Sequence, residues 1–265
     1  MTHLQTLETS AIGVVIGFLG GLFGKGGSAV ATPLLRLIGL PGFVAVASPL
    51  PATAPSTMVA AAAYWRENFI DWRIVRWGIA VGIPATAFGA LLSPEVGSAA
   101  LLVMTALLVL GFGIAFLVQR TEKGAAASAG EEIVAAYEAE HVRGEISYER
   151  VKLVAISISV GIISGLLANS GGFLLAPLYA KVMKLPIKTA FACSLIVSAV
   201  LAIPGTLVHW YLGHISWSVT ALVAVGSIPF SYAGARLAIR TSASRLERIY
   251  GLALTVLGLF FLFHH

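Results

Sequence analysis

The chain has 265 residues, of which 58% are hydrophobic and only 11% are charged, with a formal net charge of +5. Soluble domains carry about 25% charged residues, so this composition leaves too little polar surface for a soluble protein of this length. The mean hydropathy of +0.91 and the recurrent long apolar stretches instead indicate an all-α polytopic membrane protein. The single cysteine, Cys193, excludes an intramolecular disulfide and a cysteine-based zinc site.

Five apolar segments make up the first part of the chain. They are Leu4–Phe23, Ala29–Leu40, Phe43–Trp65, Trp72–Leu92 and Gly97–Val118. The second segment is too short to cross about 30 Å of hydrocarbon, because a helix rises about 1.5 Å per residue. We therefore expect it to belong to a broken helix or a re-entrant hairpin at the start of this half.

A polar stretch, Gln119–Arg150, separates these segments from five more. The later segments are Val151–Ala168, Phe173–Met183, Thr189–Tyr211, Trp217–Ile239 and Leu246–Phe263. The second of them is again short. The sequence thus predicts a first transmembrane repeat (1–118), a linker (119–150) and a second transmembrane repeat (151–265). Within the linker, residues 131–149 read as a short amphipathic cytoplasmic helix.

The two halves are copies of each other, because glycine, proline and tryptophan recur in phase. At an offset of 144, Gly17 matches Gly161 and Pro33 matches Pro177. One inserted residue raises the offset to 145. The later matches are Pro41 with Pro186, Trp65 with Trp210, Trp72 with Trp217, Pro84 with Pro229 and Gly89 with Gly234. This pattern predicts two repeats of five apolar segments each.

Basic residues predict the orientation, since Lys and Arg near segment ends favour the cytoplasm. If each repeat crosses the membrane an odd number of times, most basic residues fall on one side and Arg36 falls on the other. The predicted cytoplasmic set is Arg66, Arg73, Arg76, Arg120, Lys123, Arg143, Arg150, Lys152, Lys181, Lys184, Lys188, Arg240, Arg245 and Arg248. We therefore expect both termini in the periplasm, the linker in the cytoplasm and the two repeats inverted relative to each other.

Each repeat contains a glycine-rich break that is the candidate binding site. The substrate-binding candidates are Gly24, Lys25, Gly26, Gly27, Ser28 and Ser48 in the first copy, and Asn169, Ser170, Gly171, Gly172 and Ser194 in the second. Unwound backbone at membrane depth is satisfied only by protein or by a water-filled cavity. The helices that begin near Ser28 and Gly172 would direct free N–H groups and positive dipole ends into such a cavity. We expect an anion to bind where the two breaks meet near the midplane.

Two alternatives stay open at these breaks. The glycines also suit the close packing of transmembrane helices. Lys25 either contacts the bound anion or extends to water at the cytoplasmic interface. Asn169 occupies the matching place in the second break, so a charged contact would be confined to the first.

His209 is a candidate for proton coupling, because imidazole titrates near neutral pH and this residue stands at the end of an apolar segment beside Trp210. The tryptophans at the segment ends are typical of an aromatic belt at the membrane interface. No hydrolytic, redox or nucleotide-binding motif is recognisable. We therefore expect neither an enzyme nor a cofactor nor a metal site.

At the paired breaks the sequence resembles the TauE/SafE sulfite exporter family, within the 4-toluene sulfonate uptake permease group. The resemblance rests on Gly17–Pro33, Gly161–Pro177, Ala190–Ser194 and Gly213–Trp217. It implies transport of small sulfur-containing or organic anions, such as sulfite, thiosulfate, sulfoacetate or sulfonates, across the bacterial inner membrane. Lys25, Pro49 and Cys193 depart from the family pattern, so the identity of the substrate transfers least.

Taken together, the sequence predicts a secondary transporter for a small anion that works by alternating access between inverted repeats. An anion channel with the same hairpins is the main alternative, and an intramembrane enzyme using His209 or Lys25 is a weaker one. The expected partners are the lipid bilayer and the anionic substrate, with no nucleic acid. Assembly into a homo-oligomer, the direction of transport and the coupling ion stay open.

Overall fold

The computed structural model describes residues 3–24, 28–96, 107, 110–115, 117, 146–167 and 170–263, and the regular structure within these ranges is helical throughout. The helices are α1 (His3–Leu22), α2 (Ser28–Leu37), α3 (Gly42–Ala47), α4 (Leu50–Arg66), α5 (Trp72–Val96), α6 (Ile146–Leu166), α7 (Gly172–Lys181), α8 (Ile187–Tyr211), α9 (Trp217–Arg240) and α10 (Ala243–Phe263). Residues 110–115 are also helical. The predicted all-α fold is confirmed for this part of the chain.

Five spans in the described ranges are long and apolar enough to cross a membrane. They are Leu4–Leu22, Gly42–Arg66, Trp72–Ser93, Ile187–Tyr211 and Trp217–Arg240. The chain is therefore a multi-pass membrane protein. By contrast, α2 and α7 have ten residues each, which corresponds to about 15 Å and is too short for a crossing.

Exposed tryptophans lie at helix ends, as the interface prediction requires. Trp65 ends the apolar part of α4 and Trp72 begins α5, while Trp210 lies near the end of α8 and Trp217 begins α9. All four are exposed. Trp210 and Trp217 meet edge to face, with ring centroids 5.8 Å apart.

The predicted segment Phe43–Trp65 lies within one candidate span, Gly42–Arg66. Within this span, α3 ends at Ala47 and α4 begins at Leu50, while the backbone stays right-handed at Ser48 and Pro49. The helical hydrogen bonds are interrupted at this α3–α4 break because Pro49 and Pro51 have no N–H. At the break, the carbonyl of Ser48 accepts a hydrogen bond of 2.6 Å from Thr220 Oγ1 of α9. The matching helix α8 has Ser194 in place of Pro49 and continues unbroken.

Helices α1 and α9 pack in parallel through glycines spaced one turn apart. The close pairs, in order along both helices, are Gly13–Val223, Gly17–Ser227 and Gly21–Ser231. A Cβ on any of these glycines would overlap the backbone of α9. Small residues at a spacing of four let membrane helices approach this closely, so α1 of the first repeat is fixed against a helix of the second.

Helices α5 and α6 form a second parallel pair of the same kind. The close pairs are Gly82–Gly161, Thr86–Gly165 and Gly89–Ile162. Here the first helix of the second repeat packs on a helix of the first repeat. The first helix of each repeat therefore packs against a helix of the other repeat.

Helix α8 lies at the centre of the described bundle and packs against α4, α5 and α7. Most of its side chains are buried, among them Phe191, Cys193, Leu195 and Leu201. The short helix α7 is buried as well, from Gly172 to Pro177 and again at Tyr179. A helix that is apolar all round belongs in the interior of a helical protein, which matches the composition of α8.

Two sequence predictions fall mainly outside the described residues. These are the fifth apolar segment of the first repeat (97–118) and the linker (119–150), including its amphipathic helix. Where the description resumes, α6 begins at Ile146, before the predicted segment start at Val151.

Replacing Gly21 by alanine should destabilise the protein, because the new Cβ would overlap the Ser231 carbonyl and separate α1 from α9. Overpacking of this kind costs typically about 1–3 kcal/mol, so the thermal unfolding midpoint of the detergent-solubilised protein should fall. Gly42→Ala is the matched control, since nothing lies within 4 Å of a Cβ there. Equal midpoints for the two variants would contradict the packing.

Candidate functional site

The first break lies against α8. Gly24, just beyond the end of α1, has a φ of +62°, and a Cβ there would overlap Phe191. Its carbonyl accepts a hydrogen bond from the hydroxyl of Ser194. Helix α2 begins at Ser28. The candidates Lys25, Gly26 and Gly27, and the side chain of Ser28, lie outside the described residues.

The second break opens the short helix α7. Gly171 has a φ of +75° and is the N-cap of this helix, where no side chain makes a capping hydrogen bond. The peptide N–H groups of Gly172 and Phe173 belong to the first turn, in which the helix itself supplies no acceptor. Both residues are buried, and so is Ser170. The second break thus encloses an uncapped helix N-terminus within the protein, while Asn169 lies outside the described residues.

Two buried hydroxyls lie at this N-terminus. A Cβ on Gly171 would overlap Ser164 Oγ of α6, so that oxygen lies directly beside the Gly171 backbone. Neither Ser164 Oγ nor Ser170 Oγ has a hydrogen-bond partner among the described residues. Sequence reasoning selected Ser170 but missed Ser164. The sequence did indicate this residue, because Ser164 aligns with Gly20 at the offset of 144 and the two repeats therefore differ at this position.

The described residues of the two breaks have different neighbours. Gly24 of the first break contacts α8 at Phe191 and Ser194. Gly171 of the second break lies beside Val160 and Ser164 of α6. Lys25, Gly26, Gly27 and Asn169 lie outside the described residues, so the meeting of the two breaks near the midplane stays a prediction.

Ser48 lies in the break between α3 and α4, and its hydroxyl already has a partner. It accepts a hydrogen bond of 2.9 Å from the Ser216 N–H, just before α9. The matching position in the second repeat is Cys193, whose Sγ accepts a contact of 3.3 Å from the Asp71 N–H, just before α5. Ser48 and Ser194 therefore both hold the framework together in the described structure.

His209 connects α6 to the turn before α9. Its Nε2 donates to the Gly165 carbonyl, because only a protonated nitrogen can bond a carbonyl at this 3.3 Å distance. Its Nδ1 lies 3.2 Å from Nδ1 of His214, and the His214 ring stacks on Phe43 at 4.4 Å. In the first repeat the matching Tyr64 hydroxyl is 3.5 Å from the Gly21 carbonyl. His209 therefore makes the same contact as Tyr64 and has a second ring nitrogen, which faces His214.

The polar groups at the second break suit an anion. They are hydroxyls, peptide N–H groups and, one turn away, a pair of imidazoles. Hydroxyls and N–H groups donate hydrogen bonds to anionic oxygens. Among the described residues, no group of three His, Cys, Asp or Glu side chains is placed to hold a metal ion.

Comparison with known proteins gives a family and several relatives. A family model described as sulfite exporter TauE/SafE matches residues 9–261. A probable membrane transporter protein of Xylella fastidiosa strain 9a5c is 27% identical over 272 residues, covering 98% of this chain and 96% of the relative. A probable membrane transporter protein of Methanocaldococcus jannaschii is 27% identical over 274 residues, covering 95% and 93%. No solved structure matches this chain.

Replacing Ser194 by alanine should loosen the first break. The variant removes the donor to the buried Gly24 carbonyl, and an unsatisfied buried group costs about 1–3 kcal/mol. A lower thermal midpoint is expected. Ser198→Ala is the control, since Ser198 is buried one turn further along α8 and its hydroxyl has no partner among the described residues. Equal losses in both variants would argue against the Ser194 contact.

Acidification should destabilise the contact between α8 and the turn before α9. Burial lowers the pKa of His214, so the folded protein binds a proton there less readily than the unfolded chain. The stability from the neutral ring is therefore lost as the pH falls from the ordinary histidine pKa of about 6.5 towards the lowered value. In His214→Phe, which copies the matching Phe69, the thermal midpoint should fall less between about pH 7.5 and about pH 5.5 than in the unmodified protein. Parallel curves would exclude His214 as the source.

Proposed function

This chain belongs to the sulfite exporter TauE/SafE family and is a membrane transporter, and we propose that it moves a small anion across the bacterial inner membrane by alternating access. One observation carries the proposal: the buried, uncapped N-terminus of α7 at Gly171 and Gly172. Free N–H groups and the positive end of a helix dipole, enclosed in an apolar protein, favour an anion. Lys25 and Asn169, in the two breaks, are the proposed additional donors.

The proposed substrate is a sulfur oxyanion or an organosulfonate, of the sulfite, thiosulfate or sulfoacetate class. The family description names sulfite export. Each of these anions presents several oxygens on one centre, which matches converging N–H and O–H donors. Binding replaces part of the anion's hydration shell with protein donors.

Alternating access is supported by contacts that recur between the repeats. The Gly21–Ser231 contact of α1 with α9 matches the Gly165–Thr86 contact of α6 with α5, at offsets of 144 and 145. The Tyr64–Gly21 and His209–Gly165 contacts follow the same rule. Equivalent contacts at matching positions of the two repeats are expected of a pseudo-twofold arrangement. Inverted repeats of this kind are frequent in secondary transporters with discontinuous helices.

The orientation proposal uses the two ends of the bundle. At one end, Lys188 Nζ donates to the Ile239 carbonyl over 2.7 Å and so joins the start of α8 to the end of α9. Arg66 and Arg240 end helices at the same side. The opposite end carries His214 and Ser216 in the turn between α8 and α9. Because basic residues favour the cytoplasm, we assign the first end to the cytoplasm and both termini to the periplasm.

His209 is the proposed proton site of this carrier. The His209–His214 pair adjoins Gly165, one turn before the second break. Uptake of a proton by His209 Nδ1 would break its contact with His214, because two protonated nitrogens repel each other. This change at the end of α8 would couple proton binding to the position of α6 and hence to the anion site.

An anion channel is the second candidate function. The same hairpin site would serve it, since the positive ends of helix dipoles also set ion selectivity in pores. A carrier and a channel differ in kinetics, because only a carrier must reorient with its substrate.

The proposal predicts saturable counterflow of sulfite. Liposomes containing the purified protein and loaded with unlabelled sulfite should accumulate labelled sulfite transiently, whereas protein-free liposomes should not. A panel of sulfonates and short carboxylates, added outside, ranks the substrates by competition. Flux that neither saturates nor responds to internal substrate would support the channel, and no flux of any sulfur oxyanion would reject the proposed substrate class.

A further inference from the structure

We infer that Ser164 and Ser170 donate their hydroxyls to the oxygens of the bound anion at the second break. The inference rests on the proposed function and adds two hydroxyl donors to the proposed site. It assigns a binding role to Ser164, which lies on α6 and outside the glycine-rich break itself.

The geometry brings both serines to the start of α7. Ser164 Oγ occupies the space that a Cβ on Gly171 would need, beside Val160 of the same helix. Ser170 immediately precedes Gly171 and is fully buried. The left-handed Gly171 therefore leaves room for a hydroxyl at the helix N-terminus, where any other residue would both strain the backbone and displace Ser164.

Both hydroxyls are buried without a partner among the described residues, although a serine on α6 can bond a backbone carbonyl of its own helix. Ser157, two turns earlier on α6, is buried and donates to the Leu153 carbonyl over 2.7 Å. Ser164 makes no such bond, and neither does Ser170, among the described residues. Other buried hydroxyls of the described residues also lack a partner, among them Ser198 and Ser227. Ser164 and Ser170 differ in lying together at a buried helix N-terminus, where an acceptor from outside the chain would meet both O–H and N–H donors.

The first break has no equivalent pair. At the offset of 144, Ser164 corresponds to Gly20 and Ser170 to Gly26, and glycine has no hydroxyl to donate. The nearby hydroxyl of Ser194 already donates to the Gly24 carbonyl. The two breaks have matching glycine positions but different hydroxyl donors. We therefore expect them to contribute unequally to anion binding.

The ligand class follows from the donors. Two hydroxyls and the N–H groups of Gly172 and Phe173 belong to one helix N-terminus, and several donors at one place suit the –SO₃ group that sulfite and sulfonates share. A halide has a single centre and gains less from several directed donors. Loss of a hydroxyl should therefore weaken sulfite binding more than chloride binding.

The test measures anion binding by the full-length purified protein with isothermal titration calorimetry. The probes are sulfite, sulfoacetate and chloride, and the variants are Ser164→Ala, Ser170→Ala and the control Ser157→Ala. We expect each of the first two variants to raise the dissociation constant for sulfite about tenfold, equivalent to about 1.4 kcal/mol, with a smaller change for chloride. Ser157→Ala should bind as the unmodified protein does. Sulfite binding without sulfoacetate binding would identify the free inorganic ion, and binding of both would identify the shared group.

The thermal midpoint without ligand separates a binding role from a structural one. Removing an orphaned hydroxyl should leave the midpoint unchanged or raise it, whereas removing a structural hydroxyl lowers it. Should Ser164→Ala not fold, Ser164→Cys keeps the shape of the side chain with a slightly larger atom and a weaker donor, and it should also lose sulfite affinity.

Two different results would contradict the serine assignment and the substrate class. Sulfite binding and counterflow that persist at full strength in Ser164→Ala and Ser170→Ala would overturn the serine assignment and leave the transporter proposal intact. An unmodified protein that neither binds nor transports any sulfur oxyanion would overturn the substrate class itself.

Discussion

Backbone groups that leave a helix inside a membrane need a hydrogen-bond partner from the protein, because lipid supplies none. This requirement explains the main irregular points of the described structure. The Gly24 carbonyl is bonded by Ser194, and the Ser48 carbonyl at the α3–α4 break is bonded by Thr220. The N-terminus of α7 differs from these points, because it is buried and its N-cap, Gly171, has no side chain with which to bond the free N–H groups. This difference is the basis for proposing a ligand there.

Sequence reasoning succeeded where a pattern has one physical meaning. Apolar length predicted the spanning helices, and glycine with proline predicted the short helices α2 and α7. It failed where the outcome depends on partners far apart in the chain. The pairing of α1 with α9 and of α6 with α5 was not predicted, because it depends on which distant helix each of them contacts. Ser164 was overlooked because one hydroxyl in an apolar helix usually bonds its own backbone.

Matching positions of the two repeats make the same contacts even where their side chains differ chemically. Phe43 stacks on His214, and the matching Lys188 lies over Phe69 with its Nζ 5.8 Å from the ring centroid. Ser48 and Cys193 accept from the same peptide position of their respective partners. The contacts that both repeats make maintain the scaffold. Where the side chains at matching positions differ, one end of the bundle has a chemical group that the other end lacks. The hydroxyl donors at the second break are one such difference.

The glycine-paired helices also have a consequence for biogenesis. Because α1 is complete only when packed on α9, and α6 only when packed on α5, neither repeat encloses its own interior. During synthesis, α1 must remain in the bilayer without its partner until nearly the whole chain has been inserted. Under the proposed inverted arrangement, a gene encoding one repeat alone would have to supply two copies in opposite orientations, as in an antiparallel dimer.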